Sequence, residues 1–392
     1  MDSSLTGART TFAATAATVV FVIPVFLTGA AAPQIRRDLH FDVAQLGVAI
    51  SAFVAAQAVL SGPLGRLADR LGGRTSMLVS SMTSAAVCAS VGTLVQGWLG
   101  LAACLALAGT ANALGQPAAS RAVALGVRRG RQGLAFGAFQ SSKPVAGLLA
   151  GLAVPTIALQ AGWRAAFLVA AGASAVVVLA LLGVEADPHR PPASTHGTTR
   201  LPRAVGAPLI VAISLGFAAA KVFSSFLADA GVVAGLDLGT AGLLVATSGA
   251  IAVATRLAVG VLADRREGSH LGLVAAMLAS GAFGFAMLAT GRPVGMVVGT
   301  VVVAAGAWGY NGLFYLSITR LMSTRPATGT GIMLSGASVG GAIGPVVFGA
   351  VAERTSYGPA WILVAVWVLL AALCMRRADI RLRDDTAFAT RT

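Results

Sequence analysis

Apolar runs of spanning length recur along the whole chain, separated by short stretches that carry arginine, glycine or proline. A helix rises 1.5 Å per residue, so roughly 20 apolar residues cross the hydrocarbon core of a bilayer. Cutting the chain at its charged and Gly/Pro-rich breaks gives twelve such segments. The sequence therefore predicts an all-α integral membrane protein whose helices cover about residues 12–35, 43–65, 75–96, 98–125, 133–160, 164–185, 207–229, 239–263, 270–290, 293–321, 328–352 and 357–375.

Composition supports a membrane protein and argues against other classes. Hydrophobic residues make up 56% of the chain, charged residues only 11%, and the mean hydropathy is +0.83, which is too apolar for a soluble domain. The net charge of +14 comes from short basic clusters between apolar runs, without the aromatic interleaving of a nucleic-acid surface. The three cysteines show no CxxC spacing, so neither a disulfide nor a metal site is expected. The first apolar run is long enough to span and is followed at once by others, so we interpret it as a transmembrane helix rather than a cleaved signal.

A Gly- and Arg-rich hairpin, GPLGRLADRLGGRT at residues 62–75, returns in weaker form as GVLADRREG at residues 260–268. The segments that begin at Gly65 and Gly260 share five of six residues at an offset of 195, half of the 392-residue chain. Such self-similarity predicts two related halves. We expect a first six-helix unit at 1–185, a polar linker at 186–205, a second unit at 206–376 and a charged tail at 377–392.

The distribution of arginine predicts the orientation. Twelve spans put both termini and the linker on one side of the membrane, and that side carries 20 basic residues against 5 on the other. The positive-inside rule assigns the richer side to the cytoplasm. We therefore expect both termini in the cytoplasm of a cell, in its plasma or inner membrane.

Twelve spans, a 6+6 repeat, a cytoplasmic linker and a GxxxDRxGxR pattern at Gly65, Asp69, Arg70, Gly72 and Arg74 together resemble the major facilitator superfamily. The resemblance covers essentially the whole chain, and the stretches APQIRRDL (residues 32–39) and GWRAAF (residues 162–167) fit it in style. It implies two pseudo-symmetric six-helix bundles that transport by alternating access.

The hairpin is predicted to act as a gate. Gly65 would permit close helix approach, and the Asp69 carboxylate suits the positive end of a neighbouring helix. The resemblance supplies the partner, the start of helix eleven near Thr328 and Gly329. Asp264 and Arg265 form a second, weaker copy, because glutamate and serine follow where the first copy has Gly72 and Arg74. The alternative is that these arginines only fix topology.

Three basic residues lie inside predicted helices: Lys143, Lys221 and Arg256. The two lysines are the only ones in the chain. The three fall about 17, 21 and 12 Å from the cytoplasmic helix ends, where a charge is costly and normally faces a cavity or a partner. No acidic residue lies at matching depth, so the sequence predicts an electropositive cavity and an anionic substrate. For Arg256 the alternatives are snorkelling toward the cytoplasm and pairing with Asp264.

Polar neighbours extend this candidate site. Ser225 shares a helical stripe with Ser214 and Lys221, and Gln140 precedes Lys143 by one turn. The resemblance implies that helices five, seven and eight line the cavity. Further candidates are polar residues of helices four and ten, for which hydrogen bonds between helices are an equal alternative: Asn112, Gln116, Tyr310, Asn311 and Tyr315.

The leading functional hypothesis is a secondary active transporter of a small, carboxylate-like organic anion. Symport with protons, anion exchange and uniport all fit. Multidrug or metabolite efflux is the alternative, although the superfamily's drug:proton antiporters commonly carry an arginine in helix four that this chain lacks. A transporter-fold sensor is a third possibility. The four histidines lie in loops or at helix ends and form no catalytic constellation, so we expect no enzyme, cofactor or bound metal. The expected partners are a small molecule and the bilayer, with no nucleic acid, and the expected unit is a monomer.

Overall fold

The computed structural model describes residues 3–126, 137–183, 203–264, 270–314, 317 and 326–389, and this described part is helical with short connections and no strand. The first half contains α1 Ser3–Ala30, α2 Ala32–Leu39, α3 Val43–Leu71, α4 Gly73–Thr93, α5 Trp98–Gly126, α6 Ser142–Ala153 and α7 Trp163–Leu182. The second half contains α8 Arg203–Val233, α9 Leu238–Asp264, α10 Leu271–Leu288, α11 Pro293–Val303, α12 Pro326–Arg354 and α13 Tyr357–Ala389.

Twelve helical segments of the described chain are long and apolar enough to cross a membrane, which confirms the predicted number of spans. The short α2 is the one labelled helix that is not among them. Two of the twelve spans extend beyond the helix that each contains. The span at residues 137–161 contains α6, and the span at residues 293–314 contains α11. The large apolar side chains left exposed on α7 and α13, such as Val176 and Leu373, suit contact with lipid tails.

Equivalent helix pairs pack in the two halves. Helix α4 packs against α7 as α10 packs against α13, and α1 packs against α6 as α8 packs against α12. The halves meet where α3 contacts α12 and where α6 contacts α9. The prediction of two pseudo-symmetric six-helix bundles is therefore confirmed.

The first predicted helix, 12–35, was placed too far along the chain, since α1 covers Ser3–Ala30. Helix α1 ends at Ala30, and α2 is a separate amphipathic helix with proline in its first turn and His40 in a left-handed conformation at its end. Helix α3 then begins with a capping box. The Asp42 carboxylate accepts from the backbone N–H of Gln45 at 2.7 Å, and the Gln45 side-chain oxygen accepts from the backbone N–H of Asp42 at 3.0 Å. We call the end of the molecule that carries α2 the far face, and the end that carries residues 66–74 the hairpin face.

Two π-helical turns interrupt spans that the sequence pattern presented as continuous. They lie at Val154–Ala158, after α6, and at Ala304–Trp308, after α11. The last helix was also predicted too short, since α13 continues through much of the charged tail to Ala389. Local π-turns shift the helical register by one residue and release backbone carbonyl groups, which can then accept hydrogen bonds from side chains.

Candidate functional site

A cavity lies between the two halves. Eight spans contribute to it, four from each half, and its empty volume is about 920 Å³ including the part open to solvent. Apolar and aromatic side chains form most of the wall. Its polar and charged lining residues are Gln57, Asn112, Gln116, Gln140, Lys143, Lys221, Ser224, Arg256, Asn311 and Ser338.

All three basic residues singled out in the sequence line this one cavity. Lys143 comes from α6, Lys221 from α8 and Arg256 from α9, so both halves contribute positive charge. No aspartate or glutamate is among the described residues that line it. The described lining of the cavity is therefore basic, and a negatively charged group would be attracted to it.

Arg256 is 4% exposed and joins the two halves. Its guanidinium donates to the backbone carbonyl of Gln140 in the first half, and through Nη2 to that of Trp308 at 3.0 Å in the second. Trp308 is the last residue of the second π-helical turn. Its backbone carbonyl oxygen accepts hydrogen bonds from the side chains of Arg256 and Asn311. Both acceptors are backbone carbonyl groups, so these two bonds satisfy guanidinium hydrogens.

Lys221 lies against aromatic rings of the opposite half. Its Nζ atom is 5.5 Å from the centroid of the Phe26 ring on α1 and 5.3 Å from that of Phe53 on α3. Cation–π contacts at such distances stabilise an ammonium group by about 0.5–2 kcal/mol each. The lysine is thus held across the bundle interface by apolar rings rather than by a carboxylate.

Amide side chains form most of the remaining polar part of the wall, beside Ser224 and Ser338. The Gln116 Oε1 atom accepts from Asn112 Nδ2 at 3.2 Å and from Gln57 Nε2 at 3.5 Å, which links α5 to α3. In the second half, Asn311 Nδ2 donates to the Trp308 carbonyl at 3.4 Å. The carbonyl oxygens of Asn112 and Asn311 accept no hydrogen bond from the described residues.

Ser225, which was predicted to share a substrate-facing stripe of α8 with Lys221, does not line the cavity. Ser225 is buried against α1, where a Cβ atom added to Gly29 would lie 2.9 Å from the Ser225 Cα. Ser224, one residue earlier, lines the cavity instead. A shift of one residue rotates a helical position by about 100°, so the error follows from an uncertain phase of the helix.

Tyr310, another predicted site residue, does not line the cavity either. It is 1% exposed and packs inside the second half, with its hydroxyl group close to Gly216 of α8 and its ring against Phe314. Tyr315, another candidate, lies outside the described residues. Sequence reasoning missed Gln57, Ser224 and the aromatic wall of Phe26, Phe53 and Trp308; a glutamine inside an apolar run was a usable signal for Gln57, whereas the aromatic residues had none.

The hairpin shows contacts within the first half. Asp69 pairs with Arg121 of α5 at 3.2 Å, and both side chains are partly solvated. The Arg74 Nε atom donates to the Leu181 carbonyl at 3.1 Å, at the end of α7, where a basic residue satisfies terminal carbonyl groups. Arg70 is exposed to solvent.

The two hairpin glycines differ in whether the local structure requires a glycine. Gly72 has a φ of 83°, a left-handed value that joins α3 to α4 and that other residues rarely adopt. At Gly65 an added Cβ would meet nothing within 4 Å, so the predicted close helix approach is absent in this conformation. The side chains of Thr328 and Asp264, and all of Arg265, lie outside the described part, so the gate stays a prediction.

Among the described residues, several contacts between the halves lie at the far face. The buried Asp229 carboxylate at the end of α8 accepts from the Arg36 guanidinium of α2 and from the Tyr357 hydroxyl of α13. The Val43 amide donates to Glu353 Oε2 at 3.0 Å. Nearby, a Cβ on Gly47 would lie 2.3 Å from the Pro345 carbonyl oxygen. The molecule is therefore closed on its far face.

Comparison with known families decides the classification. The family model described as "Major Facilitator Superfamily" matches residues 14–329, which is most of the chain. This chain belongs to the Major Facilitator Superfamily. It is accordingly a multi-pass membrane transporter, which confirms the family predicted from the hairpin and the repeat.

Relatives within the superfamily carry different names. The chain is 29% identical over 367 residues to a chloramphenicol resistance protein of Streptomyces lividans, covering 88% of this chain and 91% of the relative. It is 28% identical over 153 residues to a galacturonate transporter of Dickeya chrysanthemi, covering 39% and 44%. A probable sulfoacetate transporter of Cupriavidus necator is 29% identical over 143 residues, covering 36% and 32%.

Solved structures of the superfamily share the fold. A point mutant of the nucleoside transporter NupG superposes with a TM-score of 0.75 at 15% identity, covering 95% of this chain and 99% of that one. A second NupG structure gives a TM-score of 0.69, again at 15% identity, with 96% and 99% covered. These similarities establish the architecture of this superfamily member.

Proposed function

We propose that this transporter is a secondary active carrier of a small organic anion, which it moves by alternating access of its two halves around the central cavity. One observation carries the proposal. Lys143, Lys221 and Arg256 share a cavity whose described lining includes no carboxylate. A charge in this position costs on the order of 2.5–3.5 kcal/mol on insertion scales, and a bound anion would offset part of that cost.

Two named relatives support an anion. Galacturonate is a carboxylate and sulfoacetate carries a carboxylate and a sulfonate, and proteins named for their transport align with parts of this chain. The unit that we propose is a monomer, since one chain supplies both halves of the cavity. We also propose the orientation with cytoplasmic termini in the plasma or inner membrane, which rests on the arginine distribution.

A second candidate function is drug or metabolite efflux. The relative that aligns over 88% of this chain is named for chloramphenicol resistance, and chloramphenicol is an uncharged aromatic compound. The rings of Phe26, Phe53 and Trp308 on the cavity wall would suit such a molecule. This function needs no positive charge in the cavity, so charge-removing variants separate it from anion transport.

The test is uptake into proteoliposomes that contain the purified protein. Labelled galacturonate and sulfoacetate would be compared with neutral galactose and chloramphenicol, with and without a proton gradient. We expect anion uptake, at least about tenfold slower in Lys143→Ala, Lys221→Ala and Arg256→Ala, since a favourable charge interaction of about 1.4 kcal/mol is a tenfold effect. Arg292→Ala, at an exposed arginine before α11, is the matched control and should transport normally.

The outcomes separate the two candidates. Uptake of chloramphenicol that survives all three substitutions, without anion uptake in the parent, would support efflux and overturn the anion proposal. Acceleration of anion uptake by an inward proton gradient would indicate proton symport, whereas dependence on anion inside the vesicle would indicate exchange.

A further inference from the structure

The cavity contains two buried acceptors that the protein leaves without a donor. The Oδ1 atoms of Asn112 and Asn311 accept no hydrogen bond from any described residue, although these side chains are only 1% and 7% exposed. Both residues line the cavity, one from each half. A buried carbonyl oxygen without a donor costs about 1–3 kcal/mol, so such atoms are normally paired.

Hydrogen bonds to neighbouring groups orient both amides, and at Asn311 the partner is a backbone carbonyl. Asn112 Nδ2 donates to Gln116 Oε1 at 3.2 Å, and Asn311 Nδ2 donates to the Trp308 carbonyl at 3.4 Å. Reversing the Asn311 amide would set an oxygen against that carbonyl. Each nitrogen uses one of its two hydrogens in these bonds, whereas each oxygen has no donor among the described residues.

The unpaired acceptors and the basic residues together specify a ligand with two kinds of group. The basic residues attract an anionic group, and the two asparagine oxygens require donors. A cationic donor is disfavoured beside Lys143, Lys221 and Arg256, so the donors are neutral groups such as hydroxyls. The Phe26 and Trp308 rings, with centroids 6.3 Å apart, add an apolar surface for the carbon skeleton.

We infer that the substrate is a hydroxylated carboxylate, whose carboxylate is attracted by the basic residues and whose hydroxyl groups donate to Asn112 and Asn311. This inference rests on the proposed anion transport and narrows it. Because the two asparagines belong to different halves, one such ligand would contact both bundles at once. A simple aliphatic acid would leave both oxygens unpaired, and a neutral sugar would leave the positive charge unmatched.

The test is equilibrium binding to the purified full-length protein with acids of matched shape. Galacturonate is paired with cyclohexanecarboxylate, gluconate with hexanoate, and galactose serves as the uncharged analogue of galacturonate. We expect at least one hydroxylated acid to bind about tenfold or more tightly than its matched acid, the effect of one or two well-made hydrogen bonds. Asn112→Leu and Asn311→Leu should each reduce that preference severalfold.

Thr110→Val is the matched control on the same helix as Asn112. Its hydroxyl bonds to the Ala106 carbonyl within the helix, and the residue is outside the cavity lining, so the preference should persist. Thermal unfolding of each variant shows whether it is folded, and binding of the plain acid shows whether the cavity is intact.

The outcomes distinguish failure of this inference from failure of the anion proposal. Equal affinity for hydroxylated and plain acids, or a preference that survives both asparagine substitutions, would overturn this inference while leaving anion transport in place. Binding of galactose as tight as that of galacturonate, or binding of none of the acids, would overturn the anion proposal and this inference with it.

Discussion

At the scale of single residues, Lys221 combines a stability cost with a proposed role in binding. Its ammonium group lies near two aromatic rings and has no carboxylate within the described cavity lining. Cation–π contacts of about 0.5–2 kcal/mol per ring work against a cost of roughly 2.5–3.5 kcal/mol for a charge at this depth, and repulsion from Lys143 and Arg256 in the same cavity adds to that cost. The residue is therefore expected to destabilise the empty protein, as functional residues often do.

This balance predicts opposite effects of Lys221→Met on stability and transport. Methionine keeps the length of the side chain and removes the charge, so the melting temperature of the purified protein should rise by several degrees while anion uptake falls at least about tenfold. Scanning calorimetry and proteoliposome uptake measure the two effects. A lower melting temperature would show that the ammonium group stabilises the fold, contrary to this account.

At the scale of helices, close packing in a bilayer depends on small residues because lipid gives no hydrophobic drive for helix association. Helix α5 meets α3 where Gly109 faces the backbone of Phe53: a Cβ atom on Gly109 would lie 2.0 Å from the Phe53 carbonyl oxygen. The backbone of a cavity-lining residue is therefore positioned by a glycine on the neighbouring helix. The same pair of helices carries the linked amides of Gln57 and Gln116.

Gly109→Ala should force α3 and α5 apart and destabilise the protein by about 1–3 kcal/mol, the usual cost of overpacking. Gly62→Ala on α3 is the matched control, since a Cβ there would meet nothing within 4 Å. Thermal unfolding in detergent should show a lower melting temperature for the first variant and an equal or higher one for the second. Equal melting temperatures for both variants would contradict the packing argument.

At the scale of the whole molecule, one buried carboxylate forms an ion pair across the closed far face. Asp229 accepts from Arg36 of the first half and from Tyr357 of its own half, so this ion pair crosses the interface. Other inter-half contacts on this face are steric or involve backbone groups, such as Gly349 against the Val43 carbonyl. Alternating access would require the Arg36–Asp229 pair to separate when the far face opens.

Asp229→Asn should therefore shift the population toward states open on the far face. Removing one member of a buried charge pair costs about 2–5 kcal/mol, and about 1.4 kcal/mol is a tenfold change in an equilibrium, so the shift should be at least about tenfold. The measurement is the labelling rate of a single cysteine at the cavity position Ser224, in protein lacking its three native cysteines, by an impermeant reagent applied from the far face.

Asp38→Asn is the control for the far-face prediction. Asp38 lies on the same face but bonds to Trp163 and Arg164 of its own half, at 3.1 and 3.2 Å. Removing the negative charge of Asp38 should leave unchanged the labelling rate of the cysteine placed at Ser224. Equal labelling in Asp229→Asn and the parent would show that other contacts hold the far face closed.

The sequence by itself determined the twelve spans, the two halves and the superfamily, because a bilayer demands long apolar segments and the duplicated hairpin persists in the residues themselves. It also identified the intramembrane charges, since Lys143, Lys221 and Arg256 stand out wherever a charge is costly. Helix ends next to α2 and in the tail were less predictable, because capping and proline rather than hydropathy decide them.

Only the tertiary structure decided which polar residues share the cavity. Ser224 rather than Ser225 faces it, and Tyr310 turns into its own half, because the rotation of each helix is fixed by its neighbours and not by its own pattern. The π-helical turn before Trp308 and the pairing of Asp229 with Arg36 depend likewise on contacts between distant segments. Burial in lipid acts on each segment separately and can be read locally, whereas a site between two bundles exists only once the helices have packed.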